Sequence, residues 1–169
     1  LKSYYYVTAP TISLQEIERT REIHSDLPRI LRISSPYQEI DVVQDDLHLF
    51  GLENYQNEFH LFIDQRNQFG SHTEAIYHDT MVHGGINLAK KRPTKALVIG
   101  GGDGLIVRDL LRYPEVKSIV LVELDPAMIR LANSYPPLRE LNRGALLDAR
   151  VSVVTADGFE WLRREGEAF

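Results

Sequence analysis

Four acidic residues close apolar, strand-like runs in the second half of the sequence: Asp103 behind "KALVIGGG", Glu123 and Asp125 at the end of "KSIVLVELD", and Asp157 at the end of "RVSVVTAD". Asp103 sits at the tip of a glycine loop made by Gly100, Gly101, Gly102 and Gly104. Loops of this kind precede helix N-termini, whose partial positive charge and free N–H groups favour anionic ligands such as phosphate. A carboxylate there repels phosphate and suits a ligand that carries positive charge. Glu123 follows the loop by about twenty residues, the spacing at which an acid accepts hydrogen bonds from ribose hydroxyls. Asp157 stands where a third strand commonly meets an adenine edge, and its carboxylate can accept from an exocyclic amine.

Each of these residues also has a purely structural reading. Asp125 precedes Pro126 and reads as a helix N-cap with proline at the first helical position. Asp157, three residues before Glu160, fits a capping box as well as it fits a ligand contact. The glycine loop alone is compatible with a tight left-handed turn that binds nothing. Glu123 lies inside an apolar run, where a carboxylate without a partner is costly, and this favours a ligand role.

The elements that must position these acids follow from the periodicity. From Lys95 onward, strand-like and helix-like segments alternate: "KALVIGG", "DGLIVRDLLRYP", "KSIVLVELD", "PAMIRLANSY", "RVSVVTAD" and "GFEWLRREG". Alternation of this kind implies right-handed βαβ units and a parallel sheet, with the ligand beyond the carboxyl ends of its strands. Before it, "TEAIYHDTMVHGGINLAKK" reads as a helix, and Tyr37 to Phe69 carries short β-type segments, "YQEIDVV", "LHLFGL" and "EFHLFID". Residues 1–34 read as an arm with a short helix that ends near Pro28; Ser13 and Glu16 fit a capping box, with Ile12 and Ile17 as its hydrophobic staple. The expected organisation is an arm (1–34), a small antiparallel β domain (35–72) and the first part of a Rossmann-like nucleotide-binding domain (73–169).

Composition excludes several classes. There is no cysteine among the 169 residues, so disulfides, thiolate metal sites and cysteine nucleophiles are ruled out. A net charge of −5 opposes a nucleic-acid surface and mildly suits a cationic substrate. No apolar run approaches the ~20 residues of a membrane span, and the expected location is cytoplasmic. On the helix after the β segments, His78 and His83, or Asp79 and His83, are spaced for a helical metal pair, but no third ligand suggests itself and no metal is expected. Tyr77 with Met81 can form an apolar helix face, and a lone His78 can be structural.

The stretches "KALVIGGGDGLIVRDLLRYPEVKSIVLVELDPAMIRLA", "LFIDQRNQFGSHTEAIYHDTMVH" and "ARVSVVTADGFEWL" together resemble the spermidine synthase (polyamine aminopropyltransferase) family, over about Ser35 to Phe169. The resemblance implies an S-adenosylmethionine-methyltransferase-like fold behind a β domain. It also implies decarboxylated S-adenosylmethionine as co-substrate, with no tightly bound cofactor. The donor is a sulfonium dication, whose aminopropyl group passes to a diamine such as putrescine with release of methylthioadenosine. By the same resemblance Asp103 matches the aspartate that holds the donor's ammonium, Gln38 and Glu123 match residues at the ribose, and Asp157 and Gly158 match the adenine-binding pair. Tyr77 and His78 match residues flanking the amine and donor pockets.

The sequence departs from the family at several points. Leu105 stands where glycine usually follows "GGGDG", Asp79 where glutamate is usual, and Gly84 and Gly85 where proline is common. Leu105 resembles a bacterial branch whose synthase domain follows a membrane-spanning region, and the start at Leu1 suggests an upstream segment. The family's general base lies on a fourth strand that should begin just after "EGEAF", so no catalytic base is expected within this chain and little activity from it alone. In that topology "KALVIGG" is central, which leaves it an open edge and predicts a homo-oligomer. Two other readings stand beside this one: a methyltransferase-like protein, and a non-catalytic nucleotide-binding or regulatory module.

Overall fold

The computed structural model describes residues 29–45, 58–89 and 92–165. The Ser13 capping box, its staple and the helix ending near Pro28 lie outside the described residues, as does all of "LHLFGL". The described residues form two compact units, one built from residues up to Arg32 together with Glu39–Gly70, the other from Ile33–Gln38 and everything from Ser71.

The first unit is a four-stranded sheet in the order β1 (Arg29–Ser34), β2 (Glu39–Asp45), β3 (Glu58–Ile63), β4 (Arg66–Gly70). Apolar residues of β2 and β3 supply its interior: Ile40, Val42, Leu61 and Phe62 are all at most 1% exposed, the last two adjacent at an irregularity in the β3–β4 register. Two features differ from the sequence expectation. Arg29–Ser34, placed above at the end of the arm, is a strand of this sheet. "RNQFG" is also a strand, joined to β3 by a two-residue turn in which Asp64 (φ 48°) and Gln65 (φ 64°) both take left-handed conformations. Such turns usually announce themselves by Asn-Gly or Asp-Gly. Here Asp64 accepts the Glu39 N–H on Oδ1 (2.9 Å) and donates its own N–H to the Glu39 carbonyl (2.9 Å), which holds the turn without a glycine.

The second unit carries the parallel sheet, β5 (Lys95–Ile99), β6 (Ser118–Glu123) and β7 (Val151–Thr155), in the order β5-β6-β7. The registers are in step, Ile99 opposite Val122 and Glu123 opposite Thr155, so the strand ends line up and bring the acids that follow them to one edge. Helix α1 (Glu74–Leu88) precedes β5, α2 (Leu105–Leu110) follows the glycine loop, and α3 (Pro126–Ser134) follows β6. A short α4 (Pro136–Leu141) and a 3-10 turn (Ala145–Leu147), neither expected from the sequence, complete the crossover to β7, which leads into α5 (Gly158–Glu165). The core beneath the site is Leu105, Val107, Ile119, Leu121, Leu131 and Leu138, each at most 2% exposed. Among the described residues no helix is long and apolar enough to cross a membrane.

Candidate active site

After Ile99 the chain turns through Gly100 (φ 75°) and Gly101 (φ 71°) and enters α2 from Gly104 (φ 84°), a left-handed path that a residue with a Cβ takes only at a cost. Gly102 is required for a different reason. A Cβ there would lie 2.8 Å from Glu123 Cγ and Oε2 and 2.9 Å from Met128 Cγ. The bare backbone allows the Gly102 N–H to donate to Glu123 Oε2 at 3.0 Å. Asp103 follows at the loop tip, half-buried, with Oδ1 accepting the Leu105 N–H at 2.8 Å. Its carboxylate thus opens α2 and still presents its second oxygen. Burial pushes the Asp103 carboxyl upward and Glu123 adds to that, while the Leu105 N–H and the neighbouring His78 hold it down.

Glu123 has partners that its place in an apolar run did not suggest. Oε1 accepts the Asp125 N–H at 2.9 Å and Oε2 the Gly102 N–H, so the acid ties the first strand's loop to the second strand's end. The inference from an unpartnered carboxylate therefore falls. The ribose reading does not fall with it, because each carboxylate oxygen has two lone pairs and one on each is still uncommitted to these bonds. Glu123→Gln turns one acceptor into a donor facing a backbone N–H. It is expected to lower the affinity for methylthioadenosine at least tenfold, about 1.4 kcal/mol, and to lower the melting temperature as well. Titration and a thermal melt of the same sample check this; unchanged affinity in the folded variant would make Glu123 a loop tie only.

Asp125 is the N-cap read from the sequence: Oδ1 accepts the Ala127 N–H at 2.8 Å. Its other oxygen accepts the Ser35 hydroxyl at 2.7 Å. That hydroxyl also accepts the N–H groups of Tyr37 and Gln38, at 3.1 and 3.0 Å. Ser35 therefore pins the turn bearing Gln38 to the start of α3, a link across 90 residues of sequence that carries no local signal. Asp157 caps α5 by accepting the Glu160 N–H at 2.9 Å, and is exposed. The capping box is only half made, because the Glu160 carboxylate pairs with Arg163 instead of reaching back. Gly158 begins α5 against the end of β5, where a Cβ would come within 2.5 Å of Ile99 Cγ2.

Tyr77 and His78 part company on α1. Tyr77 is 59% exposed and His78 4%, with the rings edge to face at 5.1 Å. His78 belongs to a buried charge chain that the sequence reading missed. Its Nδ1 lies 2.9 Å from Glu74 Oε2 and 2.8 Å from the Glu74 carbonyl oxygen. Arg108 on α2 grips both Glu74 oxygens (2.7 and 3.2 Å) and both Asp109 oxygens (3.0 and 2.9 Å), and donates to the Leu141 carbonyl at 3.2 Å. These five bonds use all five guanidinium N–H groups. Burial would push the Glu74 carboxyl up, but His78 and Arg108 together hold it below the usual range. Burial would likewise lower His78, and the carboxylates of Glu74 and Asp103 outweigh it and raise the imidazole. The one sequence clue was an Arg-Asp pair inside an otherwise apolar α2.

Asn142, fully buried, clamps the loop from behind: its amide donates to the carbonyls of Asp103 (2.9 Å) and Ala132 (3.1 Å), and its oxygen accepts the Gly144 N–H (2.8 Å). Nothing in "ELNRG" distinguishes this asparagine before folding. The helical pair Asp79 and His83 does acquire a third candidate ligand, Asp109, with all three ligand atoms within 4.8 Å of one another. Arg112 Nη1 already occupies that space, 3.1 Å from His83 Nε2, 3.6 Å from Asp79 and 3.7 Å from Asp109. The positive charge those groups call for is supplied by a side chain.

A parallel sheet with a glycine loop after its first strand and acids at successive strand ends, following an antiparallel sheet in the chain, defines an α/β fold of the S-adenosylmethionine-methyltransferase type. Residues 74–169 match the spermine/spermidine synthase domain, and the chain belongs to that family. It is 37% identical over 154 residues to polyamine aminopropyltransferase 1 of Streptomyces coelicolor, covering 91% of this chain and 27% of that protein. It is 39% identical over 152 residues to the polyamine aminopropyltransferase of Mycobacterium tuberculosis, covering 88% of this chain and 26% of that one. The chain thus spans about a quarter of the length of these relatives. The crystal structure of spermidine synthase from Thermotoga maritima superposes with a TM-score of 0.68 at 28% identity, over 80% of this chain and 44% of that one. A spermidine synthase solved in complex with the transition-state analogue AdoDATO matches equally well.

Proposed function

We propose that this chain forms the donor-binding part of an aminopropyltransferase that uses decarboxylated S-adenosylmethionine and a diamine such as putrescine. The observation that carries the reading is Asp103: a half-buried carboxylate, fixed by the Leu105 N–H, at the place where related nucleotide folds receive phosphate. A donor without phosphate, with an ammonium at the end of a three-carbon arm, fits that charge. In this reading Glu123 and Gln38 face the ribose, Asp157 and Gly158 the adenine, and Tyr77 the amine side. The reaction is a displacement. The acceptor nitrogen's lone pair forms a bond to the carbon beside the sulfonium, the C–S pair returns to sulfur, and methylthioadenosine leaves as a neutral thioether. The acceptor must first lose a proton, since amines with pKa near 10 are mostly charged at neutral pH. No described residue is assigned as that base.

Titration calorimetry with decarboxylated S-adenosylmethionine, methylthioadenosine and S-adenosylmethionine tests the reading. The decarboxylated donor should bind tightest, because S-adenosylmethionine carries a carboxylate on the carbon that bears the ammonium and would set it against Asp103. Preference for S-adenosylmethionine would replace this reading by methyl transfer. Nucleoside binding with no transfer to any diamine by the whole protein would leave a binding module.

The same reading includes self-association. Among the described residues β5 has no strand on its outer side, and its apolar residues are poorly covered, Ile99 being 50% exposed. Beside it runs an apolar groove of about 370 Å³ lined by Met81, Ile86, Pro93, Leu97, Val98 and Ile106. Unpaired edges next to apolar surface recruit other strands. The 169-residue chain is expected to sediment as a dimer or larger species at micromolar concentration. A single species near 19.3 kDa, with no concentration dependence, would count against this.

A further inference from the structure

The peptide between Asp103 and Gly104 lies between two glycines, Gly102 and Gly104. Glycine takes left- and right-handed φ about equally readily, so local preference does not choose a path for the backbone there. Three hydrogen bonds choose it instead. The Gly104 N–H donates to the Gly101 carbonyl at 3.0 Å, the Leu105 N–H to Asp103 Oδ1 at 2.8 Å, and Asn142 Nδ2 to the Asp103 carbonyl at 2.9 Å. The first two are made within the loop and its own helix and move with them. Of the three, the bond from Asn142 alone refers this peptide to another part of the domain.

Asn142 is built to give a fixed reference. It is fully buried, its two amide hydrogens go to the Asp103 and Ala132 carbonyls, and its oxygen takes the Gly144 N–H. Its own N–H donates to the Leu138 carbonyl at 2.8 Å, and Arg108 of α2 donates to the neighbouring Leu141 carbonyl at 3.2 Å. Turning the side chain would break three bonds in a buried place, where unmade bonds are costly. Packing supports the same path. A Cβ on Gly104 (φ 84°) would lie 3.1 Å from Leu146 Cγ and 3.3 Å from Asn142 Nδ2, so Gly104 is seated against a wall made by the crossover before β7.

We propose that Asn142 is a positioning residue for the donor: by holding the Asp103 carbonyl it fixes where the Asp103 carboxylate stands, and so sets the preference for decarboxylated S-adenosylmethionine over methylthioadenosine. This rests on the donor-binding reading above. A loop released from Asn142 spreads over several paths, and the donor binds well only to the fraction that aims the carboxylate at its ammonium. Methylthioadenosine has no ammonium. The groups assigned to its ribose are held separately, Glu123 by the Gly102 and Asp125 N–H groups and the Gln38 backbone by Ser35.

The test is titration calorimetry of the whole protein with decarboxylated S-adenosylmethionine and methylthioadenosine, using Asn142→Ala, Asp103→Asn and the two combined. Asn142→Ala is expected to weaken the donor about tenfold, as the aimed fraction falls to about a tenth, and methylthioadenosine less than about threefold. In the Asp103→Asn background the same change should weaken both ligands alike, because no carboxylate is left to aim. Asn142→Ser, whose hydroxyl can still donate to one carbonyl, should fall between. Equal weakening of both ligands by Asn142→Ala alone would mean that Asn142 supports the fold only, and would overturn the proposal. A donor-specific loss that persists in the double variant would overturn it too. If the variants do not fold, amide hydrogen exchange in the unaltered protein decides, since linkage requires the donor to stabilise the clamp as the clamp stabilises the donor. Exchange of the Gly144 N–H, bonded to Asn142 Oδ1, should be slower by at least about fivefold with saturating donor than with saturating methylthioadenosine. Equal protection overturns the proposal and leaves the donor-binding reading intact; a donor that does not bind the unaltered protein overturns both.

Discussion

Asp103→Asn is expected to weaken decarboxylated S-adenosylmethionine by roughly ten- to a hundred-fold and to leave methylthioadenosine within about twofold. A charge-assisted contact contributes about 1.5–3 kcal/mol, and only the donor carries the ammonium that makes it. The substitution is clean for a structural reason: an asparagine Oδ1 can still accept the Leu105 N–H, and Asn142 holds the backbone carbonyl rather than the side chain. The loop therefore keeps its path while the charge is removed. The same variant should narrow the preference over S-adenosylmethionine, whose carboxylate no longer meets a like charge. Paired titrations of both nucleosides check the result. Equal weakening of donor and methylthioadenosine would mean that Asp103 shapes the loop and does not read the ammonium.

The second large effect is on stability. Arg108→Met removes the guanidinium that bridges Glu74 and Asp109, and both acids are buried, at 5% and 1% exposure. Breaking a buried ion pair from one side costs about 3–5 kcal/mol, because the remaining charge loses its compensation, which corresponds to a fall of roughly 6–20 °C in melting temperature for a domain of this size. Replacing all three together, Glu74→Gln, Arg108→Met and Asp109→Asn, should recover much of the loss, since no charge is then stranded. A fall under about 2 °C for the single variant would show that water reaches the cluster. The pH dependence has a definite sign. Glu74 is held down in the fold, so its contribution is present above the unfolded carboxylate range and is lost as pH falls through the folded value. His78 is held up, so its contribution is full below the unfolded histidine value and is lost as pH rises through the folded one. Asp103 is also held up, so its ionisation costs stability as pH rises through the carboxylate range, partly offsetting Glu74.

What the sequence determined by itself is the alternating half of the protein. The apolar runs, the glycine loop and the acids at strand ends are local patterns, and locality is what periodicity and turn chemistry read. A parallel sheet follows from them, as does the Asp125 cap on α3, whereas the strand order came only with the family resemblance. Only the tertiary structure decided what the polar groups do once buried. Glu123 looked unpartnered because its two donors, Gly102 and Asp125, become neighbours through sheet register and a close approach that a Cβ would forbid. Ser35 reaches Asp125, Asn142 reaches the Asp103 carbonyl and Arg108 reaches Glu74 across 90, 39 and 34 residues respectively, and no short-range pattern encodes such pairs. The β3–β4 turn escaped for a related reason, since a side-chain bond from Asp64 replaces the glycine that normally marks it. Sequence patterns locate a charge along the chain, whereas its meaning depends on which opposite charges share its low-dielectric surroundings, and packing alone sets that.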